Sequence, residues 1–214
     1  KASNGFDVGS CQFALHYFFE NVDTLQGFCR NVSECIKEGG YFIGTCYDGS
    51  KIFDSLKDKK RGESCCIVKS GDTKVWEVIK EYDATTFRDN ETSLGYAINV
   101  YQETINKYFR ENLVNFGYFI RVMENYGFQI LPDADAQHLG LPSGCGLFED
   151  LYRQMITSRP VRRGTQSEFG MAHNMSDNEK EISFKNRYFV FKKMINVNLD
   201  KIVKDTENNR NKDL

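Results

Sequence analysis

Two short apolar runs separated by one amphipathic segment open the chain, and this pattern limits the fold more than any other feature. The runs occupy residues 6–10 and 41–46, and Gly39 and Gly40 stand before the second run. After Asp23, apolar residues recur at helical spacing. They are Leu25, Phe28, Cys29, Val32, Cys35 and Ile36. Strand, helix and strand with short connections predict one turn of a parallel α/β sheet, with Asp23 as the helix N-cap and the glycines at the helix end.

The middle of the chain departs from this plan. Residues 64–105 are rich in Val, Ile, Tyr and Thr and are interrupted by Gly and Asp, which is typical of antiparallel strands. Amphipathic helices are predicted at about 112–126 and 147–158, and a polar loop at 162–181. A compact apolar run at 188–191 predicts the final strand.

These elements fit one principal domain in a chain of 214 residues. We expect that domain over residues 1–195, with an inserted lobe at about 64–181. Residues 196–214 are charged and short of large apolar side chains, so they predict a frayed polar tail. The expected fold class is α/β, with antiparallel β strands and helices inserted into the sheet.

Charge and cysteine content argue against several classes of protein. The net charge is −2, from 28 basic and 30 acidic residues, so the sequence lacks the basic excess of typical nucleic-acid-binding domains. The seven cysteines form no CxxC pair and the three histidines lie far from any paired cysteines, so we expect reduced thiols and no zinc site. Reduced thiols indicate an intracellular protein, and no apolar run is long enough to span a bilayer, so we expect no engagement of a membrane.

The residues that follow the first predicted strand are the main candidates for function. Gln12, Phe13, His16 and Tyr17 stand just beyond the strand, and ligands of open α/β sheets bind outside the carboxyl ends of the strands. Taken alone, these residues favour another interpretation. In it, Phe13 and Tyr17 belong to the core, and the two polar residues are incidental.

The full segment 6–20 changes that balance. It reads FDVGSCQFALHYFFE and resembles a pattern of the cap guanine-N7 methyltransferases of eukaryotes and large DNA viruses, F-D-x-x-S-C-Q-F-x-x-H-Y-x-F-E. Three later blocks resemble the same family in the same order. They are GGYFIGT at 39–45, ENLVNF at 111–116 (against E-F-L-V-x-F) and YFVF at 188–191 (against Y-L-V-F). Together the four blocks cover most of residues 5–192.

The resemblance implies a partial class I, Rossmann-like S-adenosylmethionine methyltransferase sheet. It also implies an enzyme that transfers the methyl group of S-adenosylmethionine to N7 of the guanine capping RNA. The residues that it implies for cofactor binding are Gln12, Phe13 and Tyr17. Those that it implies for the cap-guanine pocket are His16, Glu111, Tyr188 and Tyr101.

The same resemblance implies the partners and the setting. The partners are 5′-capped RNA and the triphosphatase and guanylyltransferase parts of a capping enzyme, in cis or in trans. The setting is the nucleus for a cellular protein, and the host cytoplasm or the virion for a protein of a large DNA virus.

The residue types suit this chemistry. A buried carboxylate such as Glu111 accepts hydrogen bonds from the N–H groups of guanine, and His16 donates to an acceptor on the base or ribose. The rings of Tyr101 and Tyr188 offer stacking faces, worth about 1–3 kcal/mol per base. N7 attacks with a lone pair and has no proton to lose, so no acid or base catalyst is expected. Positioning of the reactants can supply ~7–11 kcal/mol of the barrier.

Two departures from the family pattern leave alternatives open. The family's Gly-rich strand-to-helix turn and the acidic residue after its next strand have no counterpart, so we expect a catalytic domain truncated at its N terminus. The family's T-x-P reads Thr45-Cys46-Tyr47 here, so contacts inherited at that position do not follow. The alternatives are a methyltransferase acting on another acceptor and a non-catalytic cap-binding fragment. Glu111 also has a structural explanation, since a carboxylate near a helix start favours the helix dipole.

Overall fold

The structure, a computed structural model, describes residues 4–69, 72–157, 162–163, 166–167 and 170–210. In chain order the strands are β1 (Phe6–Gln12), β2 (Ile36–Tyr47), β3 (Ser64–Lys69), β4 (Thr73–Lys80), β5 (Ala97–Gln102), β6 (Lys107–Asn112), β7 (Phe128–Ile130), β8 (Cys145–Leu147), β9 (Arg162–Arg163), β10 (Gln166–Ser167) and β11 (Asn186–Lys193). The α-helices are α1 (Val22–Cys35), α2 (Gly49–Ser55), α3 (Phe116–Asn125), α4 (Asp133–His138), α5 (Phe148–Thr157), α6 (Asp177–Ser183) and α7 (Leu199–Arg210). Short 3₁₀ helices lie at Leu15–Phe19, Glu91–Ser93 and Ala172–Asn174.

The larger sheet contains the strand–helix–strand unit that the sequence predicts. Its strands are ordered β1-β2-β11-β7, and β8 also pairs with β11. β1 and β2 run parallel, with Val8 opposite Tyr41 and Gln12 opposite Thr45. β11 runs antiparallel to β2, β7 and β8. The parallel pair joined by α1 is confirmed, and so is the α/β class.

The start of α1 is set by a capping box. Asn21 is the N-cap, and its side chain accepts a hydrogen bond from the backbone N–H of Thr24 at 3.0 Å. The Thr24 hydroxyl accepts in turn from the Asn21 N–H at 3.3 Å. The predicted cap, Asp23, was therefore wrong. Asp23 lies in the first turn, where its negative charge favours the helix dipole.

The end of α1 depends on a lysine from another strand. The helix ends at Cys35 and β2 begins at Ile36, before the two glycines that were predicted to end the helix. The buried ammonium group of Lys193 on β11 donates to the carbonyl oxygens of Ser33 and Ile36, at 2.6 and 2.8 Å. A cation at this end satisfies open carbonyl groups and also suits the helix dipole.

Phenylalanine rings form the core between the larger sheet and its helices. Phe42 of β2 and Phe189 of β11 lie 5.4 Å apart between ring centroids. Phe119 of α3 meets Phe191 at 5.5 Å, and Phe116 meets Phe189 at 5.6 Å. All five rings are buried. Aromatic pairs at such distances contribute ~0.5–1.5 kcal/mol each beyond the burial of their area, so this cluster fixes α3 on the sheet.

The smaller sheet is an antiparallel meander in the order β3-β4-β5-β6, as predicted for residues 64–105. One of its faces packs against α2 and forms a second core. The buried members of that core include Trp76, Val78, Ile98 and Val100 from the sheet and Ile52 and Leu56 beside it. Within the span expected for the inserted lobe, about 64–181, β7 and β8 pair with β11 of the larger sheet.

The helices predicted at about 112–126 and 147–158 are present as α3 and α5. The polar loop predicted at 162–181 was wrong near its end, where α6 begins. Ser176 and Glu179 form a capping box there, and such a cap starts a helix even where apolar periodicity is weak. Part of the remaining loop lies outside the described residues.

The frayed tail predicted at 196–214 was wrong over the span of α7. Leu199 and Ile202 of this helix are partly buried and pack against the phenylalanine core. Residues 211–214 of the predicted tail lie outside the described residues. In the described part of the chain, no helix is long and apolar enough to cross a membrane.

We expect opposite effects from alanine at two glycines of this unit. A Cβ at Gly44 in β2 would lie 2.3 Å from the carbonyl oxygen of Cys11 and 2.4 Å from the Phe189 ring, whereas a Cβ at Gly27 in α1 would meet nothing within 4 Å. Gly44→Ala should lower the free energy of unfolding by about 3 kcal/mol because the core has no room for the methyl group. Gly27→Ala should raise it by roughly 0.5–1 kcal/mol because alanine favours the helix. Urea unfolding of both variants measures this, and equal effects would contradict the packing of β2.

Candidate functional site

The chain turns sharply at the carboxyl end of β1. Phe13 adopts a left-handed backbone conformation with φ 50°, and its N–H donates to the carbonyl oxygen of Thr45 at 2.9 Å. This turn leads directly into the 3₁₀ helix Leu15–Phe19, in which neighbouring side chains point in different directions. His16 is only 6% exposed, whereas Phe13 and Tyr17 are each 52% exposed. The sequence therefore places a buried imidazole and two exposed rings at the carboxyl edge of the sheet, as expected.

The smaller sheet brings Glu111 to the same place. Asn112 at the end of β6 donates from its side-chain amide to the carbonyl oxygen of His16 at 3.2 Å. The preceding residue, Glu111, directs its carboxylate at the His16 ring, with 3.5 Å between Oε2 and Nδ1. The two residues are almost a hundred positions apart in the sequence. Their contact confirms that the first and third motif blocks meet in space.

A cavity of about 530 Å³ opens around this pair, and we refer to it as the His16–Glu111 cavity. Its aromatic walls are Phe13, Tyr17, Tyr47, Phe109 and Phe148. Its polar lining also includes Gln102, Ser183 and Asn186. The volume lies within the range of about 300–1,000 Å³ that is typical of small-ligand sites. An apolar, aromatic enclosure with a few convergent polar groups suits a flat polar ring.

Burial shifts both titratable groups of the cavity toward their neutral forms. It raises the pKa of Glu111 to about 7 and lowers the pKa of His16 to about 4. A strong ion pair would shift both pKa values in the opposite directions. Between about pH 4 and 7, the contact of the two side chains is therefore mainly one between neutral groups.

The pair also has unused hydrogen-bonding capacity. Nε2 of His16 and Oε2 of Glu111 are buried, and neither has a hydrogen-bond partner in the described part of the chain. A buried polar atom left in this state costs about 1–3 kcal/mol. Both residues line the cavity, so a ligand with complementary donors and acceptors that reaches these atoms would recover that free energy.

Gln12 and Tyr188 lie together in a neighbouring cavity of about 490 Å³. Thr45 donates its hydroxyl to Oε1 of Gln12 at 2.7 Å. The Tyr188 hydroxyl is 3.1 Å from the carbonyl oxygen of Ser143, to which it donates, and the Tyr188 ring is packed close to Gly146. Tyr188 was predicted to line the pocket of His16 and Glu111, but in the structure it lines this second cavity and pairs with Gly146 of β8.

Tyr101 also lies outside the His16–Glu111 cavity. Side chains alternate between the two faces of a strand, and on β5 it is Gln102 that points into the cavity. Tyr101 points to the other face, where its hydroxyl donates to Asn106 at 3.0 Å and its ring meets Tyr108 at 5.2 Å. Tyr101 thus lies one position along the strand from the residue that faces the cavity.

Several cavity residues were not predicted from the sequence. Phe109 shares a strand face with Glu111, so strand alternation could have identified it. Tyr47 ends β2 at the carboxyl edge. The sequence shows it as a departure from the T-x-P pattern but predicts no function for it. Ile182 and Ser183 come from α6, and the capping-box sequence at 176–179 could have identified this helix.

The raised pKa of Glu111 has a consequence for stability. It lies above the value of 4.5 expected in the unfolded chain, so between pH 4.5 and 7 the folded state binds more protons than the unfolded state. Stability is then lost as the pH rises through this window, by about 3 kcal/mol in total. Glu111→Gln removes the group that titrates.

Relative to wild type, Glu111→Gln should therefore gain stability progressively from pH 4.5 to pH 8. Denaturant unfolding across this range measures the difference. Glu124→Gln, at an exposed position on α3, is the control for removing one negative charge. A difference between Glu111→Gln and wild type that stays constant with pH would contradict the buried placement of Glu111.

Two known proteins resemble this chain, one over most of its length and one over a short segment. The "Probable mRNA-capping enzyme" of Acanthamoeba polyphaga mimivirus is 28% identical over 225 residues, covering 92% of this chain and 18% of that protein. The "mRNA cap guanine-N(7) methyltransferase" of Caenorhabditis elegans is 41% identical over 58 residues, covering 27% of this chain and 15% of that protein. The chain thus spans less than a fifth of the length of these relatives.

A solved structure, that of the CcbJ methyltransferase from Streptomyces caelestis, superimposes with a TM-score of 0.46 and 11% sequence identity, over 91% of this chain and 60% of that one. The fold assignment rests instead on the strand order and on the family match. The family model described as "mRNA (guanine-N(7))-methyltransferase domain" matches residues 1–194, which is most of the sequence and includes the 3₁₀ helix, both sheets and β11. The chain belongs to the mRNA (guanine-N(7))-methyltransferase domain family.

Proposed function

We propose that this chain transfers the methyl group of S-adenosylmethionine to N7 of the guanine that caps RNA. The observation that carries the proposal is the buried Glu111 carboxylate, which meets His16 inside an aromatic cavity and has an oxygen without a partner in the described part of the chain. Guanine presents adjacent N–H donors on its Watson–Crick edge. A carboxylate accepts from both, and such charged hydrogen bonds are worth about 1.5–3 kcal/mol each.

The aromatic walls of the cavity suit the rest of the base. Phe13 and Phe148 meet edge to face at 6.2 Å, and the rings of His16 and Tyr17 meet at 4.1 Å. Flat rings at these positions offer surfaces against which a purine stacks. The methylated base carries a positive charge, and an aromatic lining stabilises that charge by cation–π contacts.

The proposed cofactor site lies at the carboxyl edge of β1. We assign it to Gln12, Phe13 and Tyr17 because the rings of Phe13 and Tyr17 are half exposed and Gln12 lines two cavities beside β1. These residues fit an amphipathic ligand with an adenine ring and a polar chain. When bound, S-adenosylmethionine supplies an electrophilic methyl group. Tyr101 and Tyr188 are not part of the proposed guanine site, because neither lines the His16–Glu111 cavity.

The role of the protein residues is positioning. N7 of guanine carries a lone pair and no proton, so neither His16 nor Glu111 needs to accept a proton from the reacting atom. Glu111 fixes the Watson–Crick edge of the base and leaves N7, on the opposite edge, free to react. Fixing both reactants in one orientation supplies up to ~7–11 kcal/mol of the barrier.

The same proposal includes the wider setting. Its substrate is 5′-capped RNA, and its partners are the triphosphatase and guanylyltransferase that build the unmethylated cap. The mimivirus relative, with the printed name "Probable mRNA-capping enzyme", supports a link to these activities, in cis or in trans. The proposed location is intracellular, in the nucleus of a cell or in the host cytoplasm or virion of a large DNA virus.

Transfer of labelled methyl groups tests the proposal. We expect the chain, or the natural polypeptide that contains it, to methylate RNA with an unmethylated G cap and to leave N7-methylated capped RNA unmodified. Glu111→Ala should lower kcat/KM at least about a hundredfold, because two charged hydrogen bonds are lost. Glu103→Ala, which removes a surface carboxylate paired with Lys69, is the matched control.

Wild-type methylation of capped RNA by Glu111→Ala would overturn the guanine site. Binding of S-adenosylmethionine without transfer to capped RNA would point to a different acceptor. Competition by a cap dinucleotide without any cofactor binding would point to a cap-binding module.

Cap affinity should also depend on pH. The carboxylate must be ionised to accept two N–H donors, and burial raises its pKa to about 7 in the free protein. Affinity for the dinucleotide GpppA should therefore fall about tenfold for each pH unit below 7, because the free protein must release one proton when the dinucleotide binds. Titration calorimetry in buffers of different ionisation enthalpy measures this proton. In Glu111→Gln, binding should be weak and independent of pH, and a pH slope identical to wild type would contradict the assignment.

A further inference from the structure

Tyr47 ends β2 at the carboxyl edge and points into the His16–Glu111 cavity. Its hydroxyl oxygen receives two hydrogen bonds. Nε1 of Trp76 donates at 3.0 Å, and Nε2 of Gln102 donates at 2.9 Å. Both donors belong to the smaller sheet, and Trp76 is completely buried in its core. The smaller sheet thus holds Tyr47 at the end of β2, which is a strand of the larger sheet.

These two bonds determine what Tyr47 can offer to a ligand. An indole N–H only donates, so the Trp76 bond always uses the tyrosine oxygen as an acceptor. The amide N–H of Gln102 uses it in the same way. The hydroxyl proton remains, and no acceptor for it lies within hydrogen-bond distance in the described part of the chain. Tyr47 is therefore a donor whose proton is available to the cavity.

The surroundings keep that proton in place. Burial raises the pKa of Tyr47 and outweighs the lowering effect of the hydrogen bonds from Trp76 and Gln102, while the nearby Glu111 carboxylate adds to the rise. The hydroxyl therefore stays protonated throughout the neutral pH range. The cavity combines an acceptor without a partner, on Glu111, with a free donor, on Tyr47.

We propose that Tyr47 donates its hydroxyl hydrogen bond to O6 of the cap guanine and is a specificity-determining residue of the site. The inference rests on the proposed function. Next to the two N–H donors that Glu111 would accept, the Watson–Crick edge of guanine carries one acceptor, O6. Adenine has an amino group at that position and no N–H at N1. It would therefore place a donor opposite the Tyr47 hydroxyl and an acceptor opposite the Glu111 carboxylate.

The position is informative because the family pattern T-x-P has a proline where this chain has Tyr47. A proline side chain has no polar atom, so it cannot read O6. Trp76 and Gln102 orient the hydroxyl before any ligand arrives, so little ordering entropy is lost when the base binds. Tyr47 acts on recognition of the base and not on the methyl transfer itself.

Binding of two cap dinucleotides tests this inference. The first is GpppA, and the second carries 6-thioguanine, which keeps both N–H donors but replaces O6 with a weaker acceptor. We expect wild type to prefer GpppA by about tenfold, the effect of one hydrogen bond. In Tyr47→Phe, the preference should fall to about twofold or less, because no hydroxyl remains. Tyr96→Phe, which removes a hydroxyl bonded to the carbonyl oxygen of Thr86 outside the cavity, should keep the wild-type preference.

A second variant leaves the tyrosine intact. Gln102→Glu places a carboxylate beside the Tyr47 hydroxyl, which should then donate its proton to that carboxylate and no longer to the ligand. The preference for GpppA should fall as in Tyr47→Phe. This variant decides the question if Tyr47→Phe does not fold, since phenylalanine leaves the buried Trp76 N–H without an acceptor.

The outcomes separate this inference from the proposed function. Wild-type binding and methylation of GpppA-capped RNA with an undiminished preference in Tyr47→Phe would overturn the role of Tyr47 alone. The same preference in a folded Gln102→Glu would do so where Tyr47→Phe is not folded. Absence of GpppA binding and methylation in wild type would overturn both.

Discussion

The side-chain amide of Asn112 donates a hydrogen bond to the carbonyl oxygen of His16, and this contact joins the smaller sheet to the 3₁₀ helix that follows β1. Glu111, one residue earlier on β6, meets the His16 ring. The cavity lies where these two surfaces come together. Leu15 and Phe19 of the same 3₁₀ helix are buried in the phenylalanine core, so the position of His16 relative to Glu111 depends on how the two sheets pack together.

This arrangement lowers the stability of the empty protein. The carboxylate of Glu111 and the imidazole of His16 are buried with atoms that lack partners in the described chain, and each such atom costs about 1–3 kcal/mol. The surrounding structure must offset that cost. The phenylalanine core and the second core around Trp76 include residues of the elements that carry the site, and the Lys193 bonds stabilise the far end of α1. A whole domain is stable by only about 5–15 kcal/mol. The cost of the unpaired atoms in the cavity is therefore a large fraction of the net stability, and packing elsewhere must offset it.

The sequence predicted elements whose pattern extends over several residues. It failed where the outcome depends on the orientation or contacts of a single residue. Periodicity predicted β1, α1 and β2, because a wrong phase would expose a whole apolar face. It could not predict that Gln102, and not Tyr101, faces the cavity, since the phase of a strand is set by its neighbours in the sheet. It also missed α6 and α7, whose polar sequences are held by a capping box and by packing on distant residues.

The site is assembled from segments that are far apart in the chain, and this has a thermodynamic consequence. The turn after β1, the end of β2, the hairpin of β5 and β6, and α6 each contribute side chains to one cavity. Tyr47 shows the dependence most clearly, because its hydroxyl is oriented by Trp76, which lies in the core of the smaller sheet. A ligand that binds all these segments at once favours the docked arrangement of the two sheets over any separated one. Recognition of the base and attachment of the inserted sheet are therefore linked through the same residues, and the specificity of the cavity depends on the packing of the second core.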